Sequence, residues 1–415
     1  MTDQKAVIDV VVTRFAYGGD LIGRLPDGRA VFVPMALPGE KVRLELIEEK
    51  PRFARARLLE VLEPSPDRIQ PRCVHFGECG GCHYQHIPYE RQLDAKREVV
   101  RDQLQRIAGI EDPPVAATVP SPNPFYYRNN VQFHQAPDGR LGYMKLYAND
   151  EVLPIRECHL PEPLLNDIWP QLEIDRQVGI ERIGLRQGSE DEALLIIQTQ
   201  DAGLPEMELN LPLSVVHRSG EDTVVLAGSD DLWLEVRGRM FRVSAGSFFQ
   251  VNLPVAEAMV EHLLRILPLT EQTTLLDVYC GVGLFSAFLA PKVQRLVGVE
   301  LAESATEDFA INLDEYENVE LYEGAAEEIL PHMNVPADVV LVDPPRAGLE
   351  RPALDAIVAL QPETIAYVSC DPATLARDLK RLIAAGYKVN QVTPFDMFPQ
   401  TYHVETVVLM STVDK

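Results

Sequence analysis

Residues 274–300 read TLLDVYCGVGLFSAFLAPKVQRLVGVE, and this stretch decides the fold. An apolar run at 274–278 ends in Tyr279-Cys280-Gly281-Val282-Gly283, and a helical segment at 284–289 follows at once. A second apolar run, 295–300, closes the unit with Glu300. Strand, turn, helix and strand in this order, with both strands apolar, predict parallel strands covered on both faces. The alternation continues, with strands predicted at 319–322, 339–342, 365–369, 389–393 and 404–410 after a helix at 255–267. That is the pattern of a doubly wound α/β sheet, whose ligands sit at the carboxyl ends of its strands. Glycine at 281 and 283 lets backbone approach a ligand closely. Glu300 ends the next strand, where a carboxylate can accept both hydroxyls of a ribose. The lack of a third spaced glycine argues for one nucleoside rather than a dinucleotide. Cys280 reads as a small residue in a tight loop.

Outward from this unit, the chain changes character. Its 415 residues leave room for roughly two to four domains. At 46% hydrophobic residues it can build ordinary cores, which excludes a disordered or collagen-like chain. The net charge is −25, and all of it falls in 151–415; residues 1–150 hold 20 Lys and Arg against 20 Asp and Glu. An acidic surface repels nucleic acid at long range, so any RNA contact is expected in the balanced front part. No run of 18 apolar residues occurs, and Met1–Lys5 leads into a strand-like run rather than the apolar core of a secretion signal. Six cysteines are too few for a disulfide scaffold. A reduced, cytoplasmic enzyme is the expected class.

Residues 7–12, 30–33, 41–46 and 56–62 read as short strands separated by Gly18-Gly19, Pro26-Asp27-Gly28 and Leu37-Pro38-Gly39, which suits equally a small β-barrel of the oligonucleotide-binding type or a generic small β-domain over 1–62. Glu63-Pro64-Ser65-Pro66 is a linker. A helix is expected from about Tyr89 to Ile107, with Leu93, Val100, Leu104 and Ile107 on one face and basic residues on the other. Short β segments at 131–134, 142–145, 193–199, 223–227 and 232–236 make 63–240 a mostly antiparallel central domain. Residues 241–415 form the α/β domain.

Four further motifs carry chemistry. Asp343-Pro344-Pro345-Arg346 ends an apolar strand, and its prolines stiffen the mouth of a cleft. In Ser369-Cys370-Asp371-Pro372, Asp371 is an expected helix N-cap and Pro372 a first-turn residue. Cys370 then lies beside a helix N-terminus, where the field favours thiolate, and reads as a nucleophile. Glu405, in Thr401-Tyr402-His403-Val404-Glu405-Thr406, has by itself the look of a solvated residue at a strand start. Finally, Cys73, Cys79 and Cys82 with Gly80-Gly81 between them, and Cys158 far downstream, suit a four-thiolate metal site, either iron–sulfur or zinc.

Together these pieces resemble the RNA uracil-5-methyltransferase family, over almost the whole chain. Tyr17-Gly18-Gly19, Leu25-Pro26-Asp27-Gly28 and Leu37-Pro38-Gly39-Glu40 are similar to a TRAM domain, an RNA-binding barrel of the OB-like kind. Ser247-Phe248-Phe249-Gln250-Val251-Asn252 is similar to the family's signature ahead of its Rossmann-like class I methyltransferase domain. The resemblance implies that S-adenosylmethionine is bound by Gln250, Tyr279, Glu300 and Asp343. It implies a [4Fe–4S] cluster on Cys73, Cys79, Cys82 and Cys158, Cys370 as nucleophile and Glu405 as base. The implied substrate is RNA, with 23S ribosomal RNA expected ahead of a transfer-RNA T-loop, and the implied state a monomer. An inactive, metal-stabilised RNA-binding protein is the reading from another class. Leu284 and Ala325 stand where family members often carry polar residues, and Asp371 where they carry Asn. For phosphate contacts the expected groups are Arg52, Arg55 and Arg57 in the barrel, with Lys96, Arg97 and Arg101 on the helix.

Overall fold

The structure, a computed structural model, describes residues 6–172, 174, 179–200, 203, 211–220, 222–333 and 335–413, with Asn149 by its backbone alone. Met1–Lys5, from which the lack of a secretion signal was read, lie outside these. Strands Val7–Phe15, Leu21–Arg24, Ala30–Val33, Lys41–Glu49 and Phe53–Glu63 close into a barrel. Alternation along them turns Val10, Val12, Val31, Val33, Val42 and Leu44 inward. Tyr84, Ile87, Ala95 and Val99 complete the same core, so the barrel is continuous with the segment behind the cysteines.

The helix expected after the cysteines runs Tyr89–Gln103 and ends in a π turn, Leu104–Ala108. Its buried face is Gln92, Ala95, Lys96, Val99, Val100 and Gln103, not the purely apolar one expected. Three of these six are polar: Gln92 and Lys96 supply partners to loop carbonyls, and Gln103 donates to the Asp102 carboxylate.

The central sheet has seven strands in the spatial order Asp222–Ala227, Ser214–Ser219, Ala193–Thr199, Ile180–Gln187, Asn130–Gln135, Leu141–Lys145, Ala148–Pro154. It is antiparallel throughout except between Ala193–Thr199 and Ser214–Ser219. The segment 232–236 departs from expectation. It pairs with Arg239–Ser244 in a separate hairpin, and Leu234, Val236, Phe241 and Val243 enter the core of the α/β layer. A period of two marks a half-buried strand but not which body buries it.

The C-terminal sheet is ordered Val319–Glu323, Arg295–Glu300, Thr274–Val278, Val339–Val342, Thr364–Ser369, Glu405–Thr412, Tyr387–Phe395. The first five strands are parallel and the last two antiparallel. Helices Leu253–Ile266, Leu284–Leu289 and Glu303–Asn312 cover one face. Arg351–Leu360 and Pro372–Ala384 cover the other, joined by residues of the helix behind the cysteines. The chain moves outward from Thr274–Val278 first on one side and then on the other, which opens a crevice at the carboxyl ends of Thr274–Val278 and Val339–Val342. Among the described residues no helix is long and apolar enough to cross a membrane.

Candidate active site

The turn after Thr274–Val278 is built for close approach. Tyr279 and Gly281 have φ of 64° and 55°, and Gly283 has φ of 88°. The positive φ strains any other residue at 283, and a Cβ there would stand 2.3 Å from Leu313 Cδ1, so that side chain would have to give way. Glu300 braces the turn from the next strand: one carboxylate oxygen accepts from Gly281 N–H at 2.9 Å, the other from Leu301 and Ala302 N–H at 2.8 Å. That uses three of about four lone-pair positions. Cys280 is buried behind the turn, as its reading as a packing residue expects. Asp277 accepts from Ser286 Oγ at 2.6 Å through one oxygen, while the other is buried and has no hydrogen-bond partner among the described residues.

Asp343, at the end of Val339–Val342, is the group that joins the two halves of the site. Burial, and then the charges of Asp277 and Glu300, push its carboxyl up to about 7. Burial raises Asp277 likewise to about 7. On the other side Asp343 acts on Glu405 and Cys370. These last two meet because Ser369 pairs with Thr406 in the antiparallel register, which sets Cys370 opposite Glu405 at the end of the sheet. Sequence spacing of 35 residues becomes direct apposition.

Two expectations about this pair are corrected. Glu405 is not a solvated strand-start residue; it is 5% exposed, between strands, and burial with the Asp343 charge pushes it up to about 8 against the pull of Arg346. Cys370 is not held as thiolate. Burial raises it to about 12, with Glu405 and Asp343 adding to the effect and Arg346 opposing it. Proximity to a helix N-terminus is outweighed by facing carboxylates in a poorly solvated site. The cap itself is as expected: Asp371 accepts from Ala373 and Thr374 N–H at 2.9 Å, with Pro372 in the first turn. The barrel reaches this point too. Tyr17 donates to Asp371, and Gly19 packs against the Tyr402 ring.

Gln250 is buried in the loop before helix Leu253–Ile266, its carbonyl accepting from Asn129 Nδ2 at 3.1 Å. Among the described residues it makes no hydrogen bond to Tyr279, Glu300 or Asp343. Neighbouring Phe248 is 69% exposed.

Cys73, Cys79, Cys82 and Cys158 all line one cavity, with Arg128, Tyr143 and Gln85. The sulfurs of Cys73 and Cys79 each accept from a backbone N–H at 3.4 Å, and Cys82 from Gln85 Nε2 at 3.3 Å. Gly80 is required here, since a Cβ would lie 2.9 Å from the Met144 carbonyl oxygen. Among the described residues no group of three or more Cys, His, Asp or Glu side chains is arranged to hold a metal ion.

The basic groups are placed less uniformly than expected. Lys96 is fully buried in an ion pair with Asp396, so it is not a phosphate contact. Arg97 donates to the Val115 carbonyl at 3.0 Å and Arg101 pairs with Asp112 at 2.9 Å. Arg55 and Arg57 pair with acidic residues within or beside the barrel, and exposed Arg52 has no ion pair among the described residues. Buried Lys96, Gln92 and Gln400 had no sequence signal, because their partners lie some 300 residues away.

Fold and site together define an α/β enzyme with a nucleoside-cofactor crevice and a cysteine–glutamate pair beside it. The profile of the tRNA (Uracil-5-)-methyltransferase family matches residues 198–413, and that of the TRAM domain matches 4–59. An RNA methyltransferase of Thermosynechococcus vestitus is 35% identical over 99% of both chains. One of Bacillus cereus is 34% identical over 100% of this chain and 98% of its own. Among solved structures, the Pyrococcus abyssi tRNA (uracil-54, C5)-methyltransferase in complex with S-adenosyl-L-homocysteine superposes with a TM-score of 0.73 at 26% identity, covering 97% of this chain and 100% of its own. The chain belongs to the TRAM-containing RNA uracil-5-methyltransferase family.

Proposed function

We propose that the chain transfers a methyl group from S-adenosylmethionine to carbon 5 of a uridine in structured RNA, through a covalent bond from Cys370 to carbon 6. The observation that carries this reading is the apposition of Cys370 and Glu405 beside Asp343. Carbon 5 of uracil is a poor nucleophile. Once the Cys370 thiol has given its proton to solvent, addition of the thiolate at carbon 6 makes an enolate whose carbon 5 can take a methyl group, with S-adenosylhomocysteine leaving. Glu405 then removes the carbon 5 proton, the carbon 5–carbon 6 double bond re-forms, and the sulfur leaves as thiolate. A catalytic pair buried in this way needs its uracil turned out of the stack.

Gln250, Tyr279, Glu300 and Asp343 are assigned to the cofactor, and the tight positive-φ turn at Tyr279, Gly281 and Gly283, braced by Glu300, supports that assignment. The cofactor supplies the methyl group and a positive charge. Among paired carboxylates such a charge lowers their affinity for protons and that of the Cys370 thiol.

The four cysteines are assigned to a [4Fe–4S] cluster. Four thiols around one cavity, with N–H groups aimed at three sulfurs and a half-buried Arg128 beside them, fit an anionic thiolate cluster. A cubane takes each thiolate on a different iron, so its ligands stand wider apart than those of one ion. Methyl transfer needs no electrons, and the cluster's role is to join chain segments. In this division 1–62 captures RNA, 63–240 carries the cluster and 241–415 the chemistry, in a cytoplasmic monomer.

The substrate is assigned as 23S ribosomal RNA by the family resemblance. Transfer RNA is the second reading, favoured by the Pyrococcus abyssi enzyme, which matches along the barrel as well. Mapping 5-methyluridine in ribosomal and transfer RNA from a strain lacking the gene separates the two. For the mechanism, Glu405→Gln should accumulate a methylated, denaturation-resistant RNA adduct, and Cys370→Ala should form none while still binding RNA. Wild-type turnover by Glu405→Gln, or an adduct on Cys370→Ala, overturns the roles.

A further inference from the structure

Glu405 opens strand Glu405–Thr412 and pairs with Phe395, and residues 396–404 are the loop that closes this pairing, held by groups that take no part in the chemistry. Gln400, at its centre, is buried with φ of 69°, a conformation a non-glycine residue keeps only when its surroundings impose it. The Gln400 carbonyl accepts from both His83 and Tyr84 N–H, at 2.9 and 3.0 Å, directly after Cys82. Its N–H donates to Gln92 Oε1 at 3.0 Å, and its own side-chain oxygen accepts from Gln92 Nε2 at 3.0 Å. Gln92 Nε2 also donates to the Tyr84 and Ile87 carbonyls, at 3.1 and 2.9 Å.

The rest of the loop is gripped from the same side. Lys96 pairs with Asp396 and donates to the Phe398 carbonyl, Asn252 donates to that of Met397, and Tyr127 to that of Pro399. Beyond His83 the chain continues into the cysteines, where Gln85 accepts from Cys73 N–H at 3.0 Å and donates to the Cys82 sulfur. Leaving buried amides unpaired is costly, so this network admits one placement of the loop.

We propose that Gln92 and Gln400 are positioning residues for Glu405, locking its loop to the backbone that follows Cys82, so that the four-cysteine segment sets the geometry of proton removal. This rests on the reading of Glu405 as the base. The lock bears chiefly on the late step, because Gln92 and Gln400 bond the loop that leads into Glu405, whereas Cys370 lies between strand Thr364–Ser369 and the Asp371 cap of helix Pro372–Ala384.

The test compares full-length Gln92→Ala, Gln400→Gly and Glu405→Gln in single turnovers with RNA and S-adenosylmethionine. Gln400→Gly keeps the carbonyl bonds and suits the positive φ, so it folds even where Gln92→Ala does not. A misplacement of about 1 Å costs about 100-fold, so release of the methylated adduct should slow by about 10- to 100-fold while methyl transfer and the KM for RNA stay within about 3-fold. In Cys82→Ser, amide hydrogen exchange in 396–404 should accelerate while that of 279–283 does not. Equal slowing of both steps, no slowing, or unchanged exchange overturns the proposal. If Glu405→Gln itself releases product normally, the base assignment has failed, and exchange alone then decides the lock.

Discussion

Replacing Glu405 by Gln should make the protein more stable while stopping its turnover, and the gain should depend on pH in a defined direction. Burial and the Asp343 charge hold the folded-state carboxyl at about 8, against an ordinary value of 4.5. The folded protein therefore keeps a proton that the unfolded chain has already released. Stability falls as pH rises from about 4.5, and the loss is complete only above about 8. At pH 7.5 the difference in proton affinity corresponds to about 4 kcal/mol, on the order of 1.36 kcal/mol for each unit. The amide introduced by Glu405→Gln returns part of this where it lacks partners, which leaves about 2 kcal/mol. For a unit of this size that is a rise of about 4–8 °C in the midpoint of thermal unfolding. The assay is thermal unfolding of both proteins from pH 4.5 to 8.5, with turnover measured in parallel. The variant should be about 2 kcal/mol less stable near pH 4.5, match the wild type near pH 6, and exceed it increasingly above that. A constant offset, or a variant less stable at pH 8 than the wild type, would refute the account of a base kept in a site that resists its charge.

Protein isolated without oxygen should carry about four irons with matching sulfide, as a four-cysteine cubane requires; stoichiometric zinc and no visible absorption would reject the cluster. Lys96→Met should destabilise the fold by about 3–5 kcal/mol, because Asp396 would be left buried and unpaired. Denaturant unfolding checks this, and an effect below about 1 kcal/mol would mean the pair is solvated. Arg52→Ala should instead leave stability alone, weaken RNA binding and reduce the salt slope by about one; an unchanged slope removes Arg52 from the interface.

Much of the α/β domain was legible because its strands are buried on both faces and so read as unbroken apolar runs. Strands Thr274–Val278, Arg295–Glu300 and Val339–Val342 fall where the sequence placed them. The barrel was legible from alternation and turn residues. The helix behind the cysteines was placed along the chain but not around its axis. Its buried Gln92 and Lys96 face hydrogen-bonding loops, whereas hydrophobic periodicity assumes an apolar neighbour. The hairpin Asp231–Val236 and Arg239–Ser244 was misassigned for a related reason, since the body that covers a half-buried strand lies elsewhere in the chain.

By itself the sequence determined the order of elements, the glycine turn before helix Leu284–Leu289, and which side chains have the chemistry for the site. Those are properties of local pattern and residue type, which neighbouring residues settle among themselves. Only the tertiary structure decided what state those groups are in. Cys370 and Glu405 meet through the register of two strands, and Asp343 joins them from a third. Their proton affinities then follow from burial and from charges contributed by separate elements, and the base loop is fixed by amides some 300 residues upstream. Electrostatic energy depends on distance through space and on exclusion of water, and neither is a function of position along the chain.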